Sequence, residues 1–227
     1  MSLLRRKQKT FDIQVQDFTL RITAAPDLME ESRAAALTFW EQLESYSLQH
    51  PEFRSSKRPL FVPEDAPDVV QEMVASASSA GVGPMFAFRG AVTDYVGRLL
   101  SRQTSEITVE CGGDLFILRK KRTKLAVHGR GDGSPVSILV DPRAGGVGVS
   151  TTIGRGRSSG SSPDGLAVLA SSCMLADAAA AGVQALLPKP DGLRAALQYL
   201  ERVPDVRGGV IVQGEHIGVA GCVEIAS

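Results

Sequence analysis

The chain has 227 residues, of which 43% are hydrophobic and 22% are charged, as in an ordinary soluble globular protein. Lysine plus arginine and aspartate plus glutamate each total 25, so the formal net charge is zero. This balance argues against a protein that binds nucleic acid or an anionic membrane through a broad basic surface.

The first hundred residues predict a pair of strands followed by three helices. Apolar and polar residues alternate over most of 11–22, which predicts one long strand or a hairpin. Helices are predicted at about 28–48, 67–78 and 87–100, the last of them after a glycine-rich turn at 81–84.

The middle of the chain predicts a block of strands, at 106–110, 114–118, 124–128, 136–140 and 147–150. The basic run RKKRTK (119–124) lies between two of them and is predicted to be a solvated hairpin turn. The Gly112-Gly113-Asp114 segment interrupts the strand pattern. Glycine in that position indicates either a plain bulge or a close approach of the backbone to a ligand.

The last third predicts a glycine- and serine-rich loop at 154–162, then a strand, two helices and two closing strands. The strand is expected at 165–170, the second helix at 191–200 and the closing strands at 209–213 and 216–225. Because strands and helices are segregated, we predict an α+β fold with largely antiparallel sheets. The rough symmetry about the central strands predicts a single domain, 1–227, of two similar lobes with a boundary near 104–110.

Cysteine usage predicts reduced thiols and no zinc site. Cys111, Cys173 and Cys222 are widely separated, form no CxxC pair and lie far in sequence from the three histidines. We expect buried, reduced cysteines in a cytoplasmic protein. No stretch reaches about 18 consecutive apolar residues, and no signal-peptide core follows the basic start of the chain.

Asp177 lies near the start of the alanine-rich helix CMLADAAAAGVQALL and has two interpretations. On a helical wheel, Asp177 and Gln184 form a polar stripe that faces water. An acid in the first turns of a helix also gains about 0.3–1 kcal/mol from the helix dipole. The second interpretation is a metal ligand.

The segment that begins Ser150-Thr151-Thr152 is a candidate phosphate site. It offers two threonine hydroxyls and loop N–H groups, and Arg155 and Arg157 follow with two guanidinium groups. Such a loop suits phosphate. The alternative is a surface loop without a ligand.

Three separated stretches together resemble the ApbE-like flavin transferase superfamily, and within it a branch of small proteins. They are GVGPMFAFRGAVTDYVG (81–97), VECGGDLFIL (109–118), and the loop GVSTTIG (148–154) with the helix LADAAAAG (175–182). The order and spacing of the three stretches span most of the chain. The resemblance implies two fused T-fold-like lobes with helices packed on one face of the sheets.

The resemblance also implies a ligand and a reaction. In that superfamily, FAD and Mg²⁺ bind in a cleft, and FMN is transferred to a threonine of a client protein. The implied metal ligand is Asp177, which forms the predicted catalytic set with Thr151 and Thr152. The implied contacts to a nucleotide-type cofactor, FAD or FMN, come from Gly83, Pro84, Met85, Gly112, Gly113, Asp114, Arg155 and Arg157.

The chain departs from the catalytic pattern at three points. The enzymes usually carry a threonine four residues after the helix aspartate, where this chain has Ala181. Their lysine falls near Thr93, and their histidine segment falls near Arg157.

Three functions therefore stay open. The first is a Mg²⁺-dependent, FMN transferase-like enzyme or a remnant of one. The second is a purine- or pterin-binding protein in which Glu110 or Asp114 reads the N–H groups of a ring. The third is a scaffold without a small-molecule site. A homo-oligomer is compatible with the sequence.

Overall fold

The strands pair into two antiparallel sheets in the computed structural model, which describes residues 8–128, 135–141, 143, 145–151 and 163–226. The larger sheet has eight strands in the order β1-β2-β3-β4-β7-β8-β9-β10, and the smaller has three in the order β11-β6-β5. The strands are β1 Lys9–Val15, β2 Phe18–Ala24, β3 Ile107–Cys111, β4 Asp114–Leu118, β5 Thr123–Val127, β6 Val136–Val140, β7 Val147–Thr151, β8 Gly165–Ala170, β9 Val206–Gln213, β10 His216–Gly221 and β11 Glu224–Ala226.

Six α-helices are assigned within the described residues. They are α1 Met29–Gln49, α2 Pro51–Ser55, α3 Asp68–Ser79, α4 Phe88–Leu100, α5 Cys173–Leu186 and α6 Gly192–Arg202. A short 3₁₀ turn, Pro84–Ala87, leads directly into α4. None of these helices is both long and apolar enough to cross a membrane.

Each half of the larger sheet is built in the same order: two strands, then helices, then two strands. The first half runs from β1 to β4 and the second from β7 to β10. The predicted α+β class with antiparallel sheets is confirmed. The two T-fold-like lobes stay a prediction. The larger sheet continues across the predicted boundary, because β3 pairs directly with β2.

The helices cover one face of the larger sheet, and the smaller sheet covers part of the other face. Strand β8 shows both contacts. Leu166 and Val168 pack with residues of α5 and α6, whereas Ala167 and Leu169 pack with Ile138 of β6. Burial on both faces explains why β8 reads GLAVLA without polar residues.

The basic run 119–124 is not a hairpin turn, and that prediction is wrong. Strand β4 pairs with β3 and β7 in the larger sheet, whereas β5 pairs with β6 in the smaller sheet. The run therefore carries the chain from one sheet to the other. Arg119 donates to the Oγ1 of Thr108, and Arg122 forms ion pairs with Asp141 and Glu224.

The predicted final strand at 216–225 is two strands in the structure. Gly221 has a positive φ of 66°, and the N–H of Cys222 donates to the carbonyl oxygen of Arg207 at 2.8 Å. The chain turns there, and β11 pairs with β6 of the smaller sheet. The side chain of Cys222 is exposed at this turn, so the prediction of buried cysteines holds for Cys111 and Cys173 only.

Candidate functional site

The β3–β4 connection is a two-residue hairpin turn made by Gly112 and Gly113. Cys111 and Asp114 are paired across it, and the two glycines have φ angles of +57° and +98°. Tight hairpin turns need positive φ at the central residues, and glycine meets that need without strain. The pair is therefore a hairpin turn and not a bulge, while the alternative of a close approach to a ligand stays a prediction.

Thr151, the last residue of β7, is bonded to this turn. Its backbone N–H and its Oγ1 both donate to the carbonyl oxygen of Gly113, at 2.8 and 2.9 Å. Asp114 lies opposite Ser150 in the β4–β7 register, and the side chains of Asp114, Ser150 and Thr151 are buried. The structure thus brings together four residues predicted for the site, and the observed bonds of Thr151 fix the turn. Its catalytic role stays a prediction.

Asp177 points into the protein and not into water. It is 6% exposed, and its Oδ2 accepts a hydrogen bond from the N–H of Gly90 at 3.1 Å. Gly90 lies in the first turn of α4, where the N–H groups have no partner within the helix and where the helix dipole favours a negative charge. No side chain at the N-cap of α4 bonds to that turn. The solvent-facing interpretation of Asp177 is therefore wrong.

Two buried thiols, those of Cys111 and Cys173, are affected by the charges of both Asp114 and Asp177. Burial, and next the charge of Asp114, raise the pKa of Cys111 to about 12; Asp177 acts in the same direction. Burial raises the pKa of Cys173 well above its usual range, and Asp94, Asp114 and Asp177 add to the effect. Asp114 and Asp177 therefore act on the same two thiols. Both thiols stay protonated at neutral pH, which excludes them as thiolate nucleophiles.

Arg89 is a candidate site residue that the sequence reasoning did not select. It directly precedes Gly90, and its side chain lies over the β3–β4 turn: a Cβ on Gly112 would be 3.3 Å from the Nε of Arg89. The side chain is exposed, and within the described ranges no acidic residue pairs with its guanidinium group. The sequence could have identified it, because Arg89 directly precedes Gly90 in the stretch 81–97 that carries the resemblance.

Gly83, Pro84 and Met85 lie where the chain enters α4. The glycine has a packing reason, because a Cβ on Gly83 would lie 2.0 Å from the carbonyl oxygen of Ser56. The 3₁₀ turn that follows packs against α3 and α5. Contact of these three residues with a ligand stays a prediction.

Thr93, which lies near the position of the family's lysine, is buried. Its Oγ1 donates to the carbonyl oxygen of Gly90 at 2.9 Å, so the hydroxyl is satisfied within α4. The remaining predicted site residues, Thr152, Arg155 and Arg157, lie outside the described residues, as does the whole loop 154–162.

The oxygen ligands around Asp177 fit a Mg²⁺ ion that is also bound by the phosphates of a ligand. Among the described residues, no group of three or more His, Cys, Asp or Glu side chains is placed to hold a metal ion. Ala181, one turn after Asp177, offers no side-chain oxygen. Mg²⁺ is often bound through one or two carboxylates, with water and substrate phosphates completing its shell. The residues fit a phosphate-bound Mg²⁺ and do not form a protein cage.

Comparison with known proteins identifies the family. A protein-family model described as "AbpE bacteria" matches residues 1–196. The chain belongs to this family. The predicted resemblance to ApbE-like proteins is thereby confirmed.

This member of the AbpE bacteria family is similar to proteins named UPF0280. A UPF0280 protein of Methanosarcina barkeri is 29% identical over 212 residues, covering 90% of this chain and 80% of the relative. A UPF0280 protein of Methanopyrus kandleri is 30% identical over 217 residues, covering 92% and 88%.

Solved structures show the same fold. The flavin transferase ApbE of Vibrio cholerae matches with a TM-score of 0.61 and 12% identity, over 94% of this chain and 97% of that one. The apo flavinyl transferase ApbE of Pseudomonas stutzeri matches with a TM-score of 0.62 and 17% identity, over 100% and 97%. At this identity the likeness establishes the fold of the AbpE bacteria protein and not its reaction.

Proposed function

We propose that this protein binds FAD, or a related dinucleotide, together with Mg²⁺ beside the first turn of α4. One observation carries the proposal: a buried carboxylate, Asp177, is held at an N-terminal N–H group of α4, next to the Gly112–Gly113 turn. The fold in which this occurs is that of flavin transferases. A carboxylate at that position is the metal ligand that the resemblance implies.

Phosphate recognition would use the start of α4. Helix N-termini favour anions through the helix dipole, which acts here although the N–H groups of Phe88 and Gly90 already have partners. Arg89, one residue before Gly90, adds an exposed guanidinium group that matches phosphate oxygens in geometry and charge. The side chain of Arg89 lies against Gly112 of the Gly112–Gly113 turn.

Mg²⁺ would be held by Asp177 and, for the rest of its shell, by phosphate oxygens and water. When bound, the ion polarises a pyrophosphate and neutralises its charge. Because Ala181 contributes no oxygen, the protein relies on the ligand's own phosphates more than a site with a threonine there would. Transfer of FMN to a client threonine is the activity that the resemblance implies, and we propose it as the further step of this site.

The test is calorimetric titration of the purified protein with FAD, with and without Mg²⁺. We expect wild type to bind FAD in a Mg²⁺-dependent manner. Asp177→Asn should weaken the Mg²⁺-dependent binding at least about tenfold, because a charge-assisted contact to the ion is lost. Asp68→Asn is the matched control, since Asp68 also lies in the first turn of a helix but is exposed. The control should bind like wild type.

Two results contradict the proposal. Absence of FAD binding by wild type at any Mg²⁺ concentration would refute the ligand. Unchanged Mg²⁺ dependence in Asp177→Asn would refute the metal role. Mass spectrometry of what the denatured protein releases would then show whether a purine or pterin occupies the fold instead. Of the two carboxylates named for that alternative, Asp114 has no exposed surface with which to read a ring, whereas Glu110 is half-buried.

A further inference from the structure

The first two turns of α4 and the first two turns of α5 pack directly against each other. A Cβ on Gly90 would lie 2.2 Å from the carbonyl oxygen of Cys173 and 2.7 Å from the Cα of Met174, so only glycine allows this approach. Each helix start carries N–H groups without intrahelical partners and a partial positive charge. Where two such ends meet inside the protein, their N–H groups need acceptors.

Two buried carboxylates supply these acceptors, and each comes from the opposite helix. Asp177 of α5 accepts from the N–H of Gly90 in α4. Asp94 of α4, which is 3% exposed, accepts from the N–H groups of Met174, at 2.9 Å, and of Cys173 in α5. The two helices therefore cap each other reciprocally.

Asp94 lines a cavity of about 310 Å³ together with the ion pair Arg98–Glu72, Phe116 and Ser172. Neither Asp177 nor the Gly112–Gly113 turn is among the described residues that line the cavity. Asp94 therefore acts on the site through the two helices, α4, which carries Gly90, and α5, which carries Asp177.

We propose that Asp94 is a positioning residue: by holding the first turn of α5 against α4, it fixes the carboxylate of Asp177 at the N–H of Gly90. Without Asp94, the first turn of α5 would keep only its own cap, the Oγ of Ser172, which accepts from Leu175 N–H at 3.2 Å. Asp177 lies one turn further along α5 and would lose its fixed distance to Gly90. The consequence for Mg²⁺ binding rests on the proposed function, whereas the link between the two caps does not.

The direct test is the amide hydrogen exchange rate of Gly90, measured by NMR on the full chain without ligand. Asp94 does not touch this amide, so a purely local role would leave its rate unchanged. We expect Asp94→Asn to speed exchange at Gly90 about fivefold, because a charged cap is replaced by a weaker neutral one. Asp177→Ala removes the acceptor of the Gly90 N–H and should therefore give the largest increase in the exchange rate of that amide. Asp68→Asn, which removes an exposed carboxylate in the first turn of α3, is the control and should match wild type.

Amide exchange rates along the whole chain distinguish a positioning role of Asp94 from general destabilisation. The proposal requires faster exchange confined to the start of α4, with the amides of the β1–β2 hairpin unchanged. Equal acceleration everywhere, or no change at Gly90, would overturn it. If Asp94→Asn does not fold, Ser172→Ala weakens the same first turn of α5 without changing charge, and it should produce a smaller change at Gly90 in the same direction.

A second readout connects the inference to the proposed function. In calorimetry, Asp94→Asn should raise the Mg²⁺ concentration for half-maximal FAD binding and leave Mg²⁺-independent affinity unchanged. If wild type binds no FAD, the proposed function fails while the exchange experiment still decides the role of Asp94. If FAD binds but Asp94→Asn alters neither Gly90 exchange nor the Mg²⁺ requirement, the positioning role alone is refuted.

Discussion

Asp94 couples the stability of this protein to pH. Burial raises the pKa of Asp94 to about 6 from the usual 3.8, although the N–H groups of Met174 and Cys173 and the charge of Arg98 act in the opposite direction. Glu72 raises the pKa slightly further. Because the folded state binds a proton more readily than the unfolded state, protonation of Asp94 favours folding. This stabilisation is fully present below pH 3.8 and is lost as pH rises through about 6.

We therefore predict that the difference in unfolding free energy between wild type and Asp94→Asn changes with pH. Between pH 7.5 and pH 5, wild type should gain about 1 kcal/mol relative to the variant, which has no proton to bind at this position. Urea unfolding at the two pH values measures the difference. Comparison with the variant removes the contribution of all other titrating groups. A constant difference across this window would mean that the pKa of Asp94 is not raised.

At the scale of elements, two hairpin turns form a matched pair. Gly112 in the β3–β4 turn and Gly214 in the β9–β10 turn have nearly equal φ angles, +57° and +60°. A Cβ on Gly112 would meet Arg89, whereas a Cβ on Gly214 would meet nothing within 4 Å. The two turns share a glycine with positive φ and differ in the contact with a proposed site residue.

Gly112→Ala and Gly214→Ala should each lower the unfolding free energy by about 1 kcal/mol, because alanine is strained at positive φ. Only Gly112→Ala should also displace Arg89 and weaken FAD binding. Urea unfolding and FAD titration of both variants check the two halves of this prediction. Equal FAD affinity in the two variants would show that Arg89 does not depend on the turn.

The elements themselves were largely predictable, because their signals are local. Alternation in 11–22 and helical periodicity in α1, α3 and α4 gave positions within a few residues of those observed. The pairing of β5 was not predictable, since its sequence does not show whether it joins β4 or crosses to a second sheet. The turn at Gly221 was missed for a similar reason: its cause is the backbone of Arg207, on the neighbouring strand.

The sequence predicted which residues belong to the site but not how they contact one another. The resemblance selected Asp177, Gly112 and Gly113, and the turn glycines have a local signal in their spacing between strands. The partner of Asp177 is Gly90, 87 residues earlier in the chain, and no local pattern reveals that contact. Asp94 was missed because its hydrogen-bond partners, Met174 and Cys173, lie in a different helix.

At the scale of the whole molecule, the C-terminal segment ties the two sheets together. Strand β10 ends the larger sheet, and after the turn at Gly221 strand β11 completes the smaller one by pairing with β6. Val223, between them, packs against the cluster that fills the space between the sheets. Arg122, which follows the crossing from β4, is paired with Glu224 of β11. The chain thus passes between the sheets three times, after β4, after β6 and after β10, and the first and last of these crossings contact each other.

Deletion of residues 222–227 should therefore lower the unfolding free energy by about 2 kcal/mol, through loss of the Val223 packing and the β11–β6 pairing. Urea unfolding measures the loss, and hydrogen exchange at β6 should rise more than at β1 and β2. Glu224→Gln is the control: it removes one exposed ion pair and should cost no more than about 1 kcal/mol. If the truncated chain unfolds at the wild-type urea concentration, β5 and β6 are held by their packing on the larger sheet alone. In that case the segment from β10 to β11 orders the edge of the smaller sheet without adding to the unfolding free energy.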